Sequence, residues 1–430
     1  MKFYSTNNRD LQLDIKEAVI KGLSSDNGLF MPEYIPVLPE SFINNLSNLS
    51  LQEIAMAVLQ PYFSNAIPDS KLKSIVDEAF NFNIPLKNVD GNISVLELFH
   101  GPTSAFKDVG ARFLARVMAT FVKDIEQDVY VLAATSGDTG GAVANGFIDV
   151  PGIKVLILYP KGKVSDRQER QFTTLGRNIT ALEIDGTFDD CQRLVKTAFL
   201  DDELNEKLFL TSANSINIAR LLPQAVYYFY AYAQVKDKSR DVIFSVPSGN
   251  FGNLTAGLIA QKMGLPVKHF IAATNINDVV PEYLNSGKYN PKASVQTIAN
   301  AMDVGEPSNF VRILNLFNDD LSSIKKAVSG YVVDDTKIRE TIKMVFDESG
   351  YVLDPHGACG YSALANQMSK SEQGVFLATA HPAKFPEVVE EQIGKEVAMP
   401  EAMNMFMAKS KKMIEIDSSF SKFKKFLMDR

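Results

Sequence analysis

Lys107 stands between Phe106 and Asp108, at the start of an apolar-periodic run and just after the chain break His100-Gly101-Pro102. A lysine at a helix N-terminus is electrostatically misplaced, because the dipole there disfavours positive charge. That placement lowers the proton affinity of the amine, as a nucleophilic or Schiff-base lysine requires. Read alone, the same segment describes a surface lysine in an ion pair. A second segment, Ser248-Gly249-Asn250-Phe251-Gly252-Asn253, follows the apolar run Val242 to Val246 and opens a helical pattern. Its glycines let backbone N–H groups approach an anion closely, and the helix start adds unsatisfied donors, so it has the makings of a phosphate cradle. It matches neither G-x-G-x-x-G nor the P-loop pattern, and a Gly turn with an Asn cap remains the plain alternative.

Three further segments add polar groups. Thr135-Ser136-Gly137-Asp138-Thr139-Gly140-Gly141 gathers hydroxyls and main-chain donors at a helix start, which suits a carboxylate, although Asp138 or Thr139 also serves as a simple N-cap. Asn214-Ser215-Ile216-Asn217-Ile218-Ala219-Arg220 puts polar groups at 214, 217 and 220 on one helix face, or is merely a capped helix with a solvated face. Lys161-Gly162-Lys163, with Arg167 and Arg170 nearby, reads as a solvated basic turn. The four histidines, His100, His269, His356 and His381, include no pair at metal-ligand spacing. No G-x-S-x-G elbow occurs either.

The elements that must position these groups alternate in type. Candidate strands are Ser94 to Phe99, Val129 to Ala133, Val155 to Tyr159, Val242 to Val246, Phe270 to Thr274 and Val375 to Thr379. Candidate helices are Val109 to Val122, Gly140 to Phe147, Phe188 to Leu200, Ile216 to Tyr232 and Gly252 to Met263. Alternation of this kind implies an α/β fold with largely parallel sheets, in which ligands gather where strands end and helices begin. Three of those ends carry the loops at 135–141, 247–253 and 379–385. The first ~90 residues read as helical segments, including Leu51 to Leu59 and Lys71 to Phe80. We expect a mainly helical N-terminal domain over 1–92, a two-lobed α/β region over 93–395 and a helical appendix over 396–430.

Composition narrows the function class. The 430 residues are 46 % hydrophobic and 22 % charged, ordinary for a globular protein of two to three domains. Lys plus Arg is 44 and Asp plus Glu 51, a net charge of −7, which argues against a nucleic-acid partner. Apolar runs are too short to cross a membrane, and the N-terminal stretch lacks a signal-peptide core, so we expect a cytoplasmic protein. Cys191 and Cys359 make no disulfide framework.

Taken in order, five segments resemble the threonine synthase family in its microbial long-chain form. They are His100-Gly-Pro-Thr-Ser-Ala-Phe-Lys107-Asp, Ala134-Thr-Ser-Gly-Asp-Thr-Gly140, Asn214-Ser-Ile-Asn-Ile-Ala-Arg220, Val246-Pro-Ser-Gly-Asn-Phe-Gly252 and Thr379-Ala-His-Pro-Ala-Lys-Phe385. Further similarity at Gly28 to Pro32, Tyr159 to Lys163, Ala301 to Val304 and Asp354 to His356 extends it over about residues 1–400. The resemblance implies a pyridoxal 5'-phosphate enzyme of fold type II, related to the tryptophan synthase β chain, that turns O-phospho-L-homoserine and water into L-threonine and phosphate. It implies that Lys107 carries the cofactor, that Gly249, Asn250, Phe251, Gly252 and Asn253 hold its phosphate, and that Thr379 bonds the pyridine nitrogen. Asp138 matches the position near the cofactor's 3′-oxygen. Thr135, Ser136 and Thr139 match a site for the substrate carboxylate, and Asn214, Ser215 and Arg220 a site for its phosphate, with Lys163 in second place. It also suggests a monomer.

Two readings compete with it. One is another lyase of the same fold, such as a serine/threonine dehydratase or a cysteine-synthase-like enzyme, which has no need of Arg220 for a substrate phosphate. The other is a non-catalytic amino-acid-binding relative, which has no use for the Lys107 amine. Asn253 stands where relatives often carry Asp, Gly357 falls at a position that varies, and the tail beyond ~400 matches only loosely.

Overall fold

The computed structural model describes residues 1–123 and 125–430. Fourteen strands form three sheets. β1 (Phe3–Ser5), β2 (Gln12–Leu13) and β3 (Phe30–Pro32) make a small antiparallel sheet in the order β2-β1-β3. The next nine strands in chain order are β4 (Leu86–Asp90), β5 (Ile93–Glu97), β6 (Val129–Ala134), β7 (Ile153–Pro160), β8 (Ile179–Asp185), β9 (Phe209–Ser212), β10 (Val242–Pro247), β11 (His269–Thr274) and β12 (Val328–Val332). β13 (Gln373–Ala378) and β14 (Ile414–Asp417) complete the set. One lobe is built on a six-stranded sheet, β12-β11-β10-β13-β5-β4, parallel except for the edge pair β4–β5. The other is built on a five-stranded, all-parallel sheet, β14-β8-β7-β6-β9.

All six strands expected from the sequence are present; the α/β architecture with largely parallel sheets is the one the alternating pattern implied, and its two lobes are those the family resemblance implied. Their near-continuous apolar character follows from helices covering both faces, so that every residue of β6 and β10 is buried. No helix among the described residues is long and apolar enough to cross a membrane.

Three expectations about elements need correction. The first ninety residues are not only helical, since they contribute β1 to β4. The run Ile216 to Tyr232 is not one helix: Pro223 supplies no N–H, and the chain forms Ile218–Leu221 and then Gln224–Gln234. The tail is not only helical: between the helices Glu401–Met407 and Phe420–Met428 lies β14, paired parallel to β8.

The helix Lys107–Val122 is the spine on which the site depends. Eleven of its residues are buried, and Phe113 meets Phe63 of the N-terminal helix Leu51–Phe63 edge-on, ring centroids 5.2 Å apart. Gly110 permits its close approach to the Arg220 segment: a Cβ there would stand 2.6 Å from the Arg220 carbonyl oxygen. The N-terminal region, the Lys107 helix and the Arg220 segment are thereby packed as one core.

Candidate active site

Five strand ends converge on one cavity between the lobes. The chain leaves β5 toward Lys107, β6 toward Asp138, β9 toward Asn214, β10 toward Gly249 and β13 toward Thr379, and residues from all five exits line the space. The two halves of the rim are stitched by backbone. Phe106 N–H donates to the Thr379 carbonyl at 2.9 Å, and His381 N–H to the Ser104 carbonyl at 3.0 Å. The free volume is about 80 Å³, and the shared wall of Ala134, Asn214, Ser215 and Asn250 leads to an outer cleft of about 650 Å³.

One part of the cavity wall is the loop after β10. Phe251 adopts a left-handed conformation, φ 60° and ψ 14°, which turns the chain sharply into the helix Gly252–Lys262. The N–H groups of Gly249, Asn250, Phe251, Gly252 and Asn253 meet no acceptor among the described residues. Five adjacent free donors at a helix start make an anion cradle of the kind a phosphate ester fills. The Asn253 side chain is not part of it: its Nδ2 donates to the Pro247 carbonyl at 2.7 Å, and its Oδ1 accepts from Ser248 Oγ and Leu254 N–H, each at 3.0 Å. That amide braces the loop and leaves only its backbone N–H for a ligand.

Lys107 begins its helix with no side-chain cap at the terminus, its side chain 16 % exposed. Its Nζ lies 3.7 Å from Asp138 Oδ2, too far for a hydrogen bond. Burial pushes the Lys107 amine below the usual lysine range, and the charges of Lys384 and Arg220 add to that against the pull of Asp138. Asp138 itself is held well below the usual carboxylate range. Burial opposes its ionisation, and Lys384 and then Lys107 overcome it. Thr379 lines the cavity, and its hydroxyl has no hydrogen-bond partner among the described residues.

Toward the cleft, Asn214 donates from Nδ2 to the Ala134 carbonyl at 2.9 Å and leaves its buried Oδ1 without a partner. Ser215 Oγ accepts from Asn309 Nδ2 at 3.1 Å. Arg220 donates from Nη1 to the Ala213 carbonyl at 2.6 Å, while its Nε is buried with no acceptor. Burial pushes the Arg220 guanidinium down to about 10, still a full cation at neutral pH. A buried cation with an unmet donor is costly unless a ligand supplies the acceptor.

Two expected substrate residues lie elsewhere. Thr135 is not in the cavity wall: its Oγ1 accepts from Gly137 N–H at 2.9 Å and Gly140 N–H at 2.8 Å and donates to the Gly137 carbonyl. It shapes the loop that presents Ser136, Asp138 and Thr139. Lys163 is exposed in the turn after β7 and absent from the cavity lining.

Other residues in and around the wall escaped the sequence reading. Lys384 is fully buried and pairs with Asp138 Oδ1 at 2.8 Å, and Gln168 Nε2 donates to the same oxygen at 2.9 Å. His356 lines the cavity; its Nδ1 is 2.6 Å from Asp354 Oδ2, and its Nε2 accepts from Ala301 N–H at 3.2 Å. Lys384 was legible only as part of the loop 379–385, and nothing in spacing points it at a residue 246 positions away.

Comparison with known proteins follows the same lines. The family model for pyridoxal-phosphate dependent enzymes matches residues 83–380, that for the threonine synthase N terminus residues 2–80, and that for the threonine synthase C-terminal region residues 357–427. The chain is 46 % identical to the threonine synthase of Haemophilus influenzae over 429 residues, covering all of both. It belongs to the threonine synthase family. The threonine synthase of Escherichia coli is 46 % identical over 405 residues, 94 % of each chain. The crystal structure of that enzyme superposes with a TM-score of 0.95 at 44 % identity over the whole of both chains. The pyridoxal phosphate-bound threonine synthase of Brucella melitensis gives 0.93 at 37 % identity, covering 100 % of this chain and 99 % of that one. Maize serine racemase, 18 % identical over 72 % of this chain with a TM-score of 0.55, shares the fold alone. Full-length coverage by the threonine synthases, N-terminal region included, separates this chain from the smaller relatives of the same fold.

Proposed function

We propose that the chain converts O-phospho-L-homoserine and water to L-threonine and phosphate with pyridoxal 5'-phosphate held in the cavity. The observation that carries this reading is the pairing of two anion sites around one amine. Five free N–H groups at 249–253 and the unmet Nε of Arg220 belong to the wall of one cavity, and Lys107 lines the space they share. A cofactor phosphate and a substrate phosphate need one site each.

Bound pyridoxal phosphate supplies an electron sink for carbanions formed on the amino-acid carbons. The protein's own groups do the rest. The backbone cradle at Gly249 to Asn253 fits the phosphate ester, and Lys107 Nζ fits the attachment point. The Thr379 hydroxyl fits the pyridine nitrogen, where, unlike a carboxylate, it does not enforce protonation and so leaves a moderate sink. Ser136 and Thr139 suit the substrate carboxylate through hydroxyl and backbone donors. Arg220, with Asn214 and Ser215 beside it, suits the leaving phosphate, whose oxyanions its planar fork can bind. Lys107 Nζ, neutral when its proton affinity is depressed, can take the proton from substrate Cα and then from Cβ as phosphate leaves Cγ. Passing the first proton on before it takes the second, the same amine can return one proton to Cγ, which becomes a methyl group, and one to Cα, while water supplies the Cβ hydroxyl and its other hydrogen leaves with the phosphate.

One incubation of cofactor-loaded protein with O-phospho-L-homoserine tests the assignment. Equal yields of threonine and inorganic phosphate are expected. Phosphate with 2-oxobutyrate in place of threonine would make the protein a dehydratase-like lyase, and neither product would leave a non-catalytic relative. Lys107→Ala is expected to yield no threonine; unchanged production would remove Lys107 from the chemistry. The reading also has the protein working as a cytoplasmic monomer. In support of the compartment, both cysteines are buried and free. Light scattering on the eluted protein tests the monomer.

A further inference from the structure

Lys384 is a buried lysine with a single carboxylate partner, beside a reactive amine that shares that partner. Its side chain is 0 % exposed, on the one-turn 3-10 segment Pro382–Lys384. That turn is fixed from two sides. His381 caps it by accepting from Ala383 N–H, and Arg167 donates to the Ala383 carbonyl. Arg167 belongs to the helix Asp166–Thr173, as does Gln168, the other donor to Asp138. One short helix therefore sets both groups that occupy Asp138 Oδ1. Gly137 is the tight point: a Cβ there would sit 2.6 Å from Gln168 Nε2.

The carboxylate is thus used unequally. Oδ1 accepts from Lys384 at 2.8 Å and from Gln168 at 2.9 Å, while Oδ2 faces Lys107 Nζ across 3.7 Å. Charge counting within the cluster gives the consequence. Lys384 and Asp138 cancel, so a proton on Lys107 is an unmatched buried cation, with Arg220 a second positive charge nearby. Asp108, next in the chain, accepts from Thr103 N–H at 2.8 Å and Thr103 Oγ1 at 2.6 Å, and the cations its charge acts on include Lys384 and Arg220. His381 lies beyond Lys384 and is held neutral, and His356 is engaged with Asp354.

We propose that Lys384 is a positioning residue that claims the Asp138 carboxylate through Oδ1 and so leaves the Lys107 amine unpaired, neutral and free to react. The proposal rests on the reading of Lys107 as the cofactor lysine. It assigns to Lys384 no contact with the substrate. Without Lys384, Asp138 has only Lys107 to balance it, and the two would close into an ion pair that holds the proton on Nζ. An opposite charge within about 4–6 Å commonly moves such a group by about one to three pH units.

The test is the titration of Lys107 in the full-length chain, followed in two ways. In the holoenzyme, the pH dependence of the bound cofactor's visible absorbance is recorded. In the same chain freed of cofactor, the pH dependence of Lys107 acetylation by acetic anhydride is read by mass spectrometry. For Lys384→Gln, both midpoints are expected to rise by about one to three units. Adding Asp138→Asn removes the charge that draws the proton, and the double variant is expected to return to the wild-type midpoint. Asp138→Asn alone leaves Lys384 unmatched and is expected to lower it, which keeps the test open if Lys384→Gln does not fold. A midpoint unmoved in Lys384→Gln, unreversed in the double variant or unlowered in Asp138→Asn overturns the proposal. Should wild-type protein bind no pyridoxal phosphate, the cofactor reading fails, while the acetylation profile still decides the role of Lys384.

Discussion

Arg312 donates twice to the carbonyl oxygen of Phe30, from Nε at 3.2 Å and from Nη2 at 3.0 Å. The remaining three N–H groups go to the Ser215 carbonyl, the Ile216 carbonyl and Asn309 Oδ1. All five donors of a fully buried guanidinium are thereby consumed without any carboxylate. Phe30 belongs to the N-terminal sheet and Ser215 to the cavity wall. Asn309 in turn holds Ser215 Oγ by its side chain and the Asn250 carbonyl by its N–H. Arg312 therefore ties the N-terminal sheet to the cavity wall.

Arg312→Met keeps the bulk and strands those acceptors. With each buried group left unsatisfied costing about 1–3 kcal/mol, a loss of about 3 kcal/mol or more is expected. Urea unfolding measures it. In the fraction that folds, KM for O-phospho-L-homoserine is expected to rise more than kcat falls. An unchanged KM would show that Ser215 keeps its place without Arg312.

Gly249→Ala tests the cradle. The added Cβ would meet the Ala301 carbonyl oxygen at 2.7 Å and Met302 Cα at 2.8 Å, both backbone atoms that cannot swing away. The loop must shift, and overpacking of this order costs about 1–3 kcal/mol. Pyridoxal phosphate affinity is expected to fall about tenfold or more, measured by fluorescence titration of cofactor-free protein. Affinity equal to wild type would place the cofactor phosphate elsewhere.

Arg220→Ala removes the buried cation that we propose binds the substrate phosphate. Hydrogen bonds to charged groups are worth about 1.5–3 kcal/mol, so kcat/KM is expected to drop by about 10- to 100-fold. Inhibition by inorganic phosphate is expected to weaken with it. If both constants hold, Arg220 does not touch the phosphate.

His381 gives a pH dependence with a defined sign. Burial, with His100 nearby, lowers its imidazole to about 4. Between about pH 6.5, where an unfolded histidine titrates, and 4, the unfolded chain binds the extra proton and the folded chain does not. Stability from this residue is therefore present above pH 6.5 and lost as pH falls toward 4. His381→Asn offers an acceptor for Ala383 N–H and removes the titration, so its thermal midpoint is expected to fall less steeply than wild type over that window. Parallel curves would assign the acid sensitivity to other groups.

What the sequence disclosed and what it withheld divide along a physical line. Strands such as β6 and β10 were legible because continuous apolar runs bounded by glycine are local signals. Lys107, the 249–253 loop and Thr379 were legible because each sits at a strand exit. Besides β1 to β4 of the first ninety residues, β8, β9, β12 and β14 were missed. β8 and β14 carry charges within their runs, and β9 is only four residues long. Thr135 looked like a ligand because a hydroxyl carries no mark of whether its bonds are already made. Lys384, Gln168 and Arg312 stayed hidden because each works on a residue 30 to 282 positions away, and only tertiary packing writes those pairs.

β14 has a consequence for how the chain is made. It covers the outer edge of β8, yet Asp185 ends β8 and Ile414 begins β14, a gap of 229 positions. On the ribosome, at about 5–20 residues per second, that gap takes roughly 10–45 s. Throughout that interval β8 presents a bare row of amides and carbonyls, the template on which strands of other chains add. The nascent lobe thus waits with one edge of its sheet open until the stretch that begins at Ile414 has emerged.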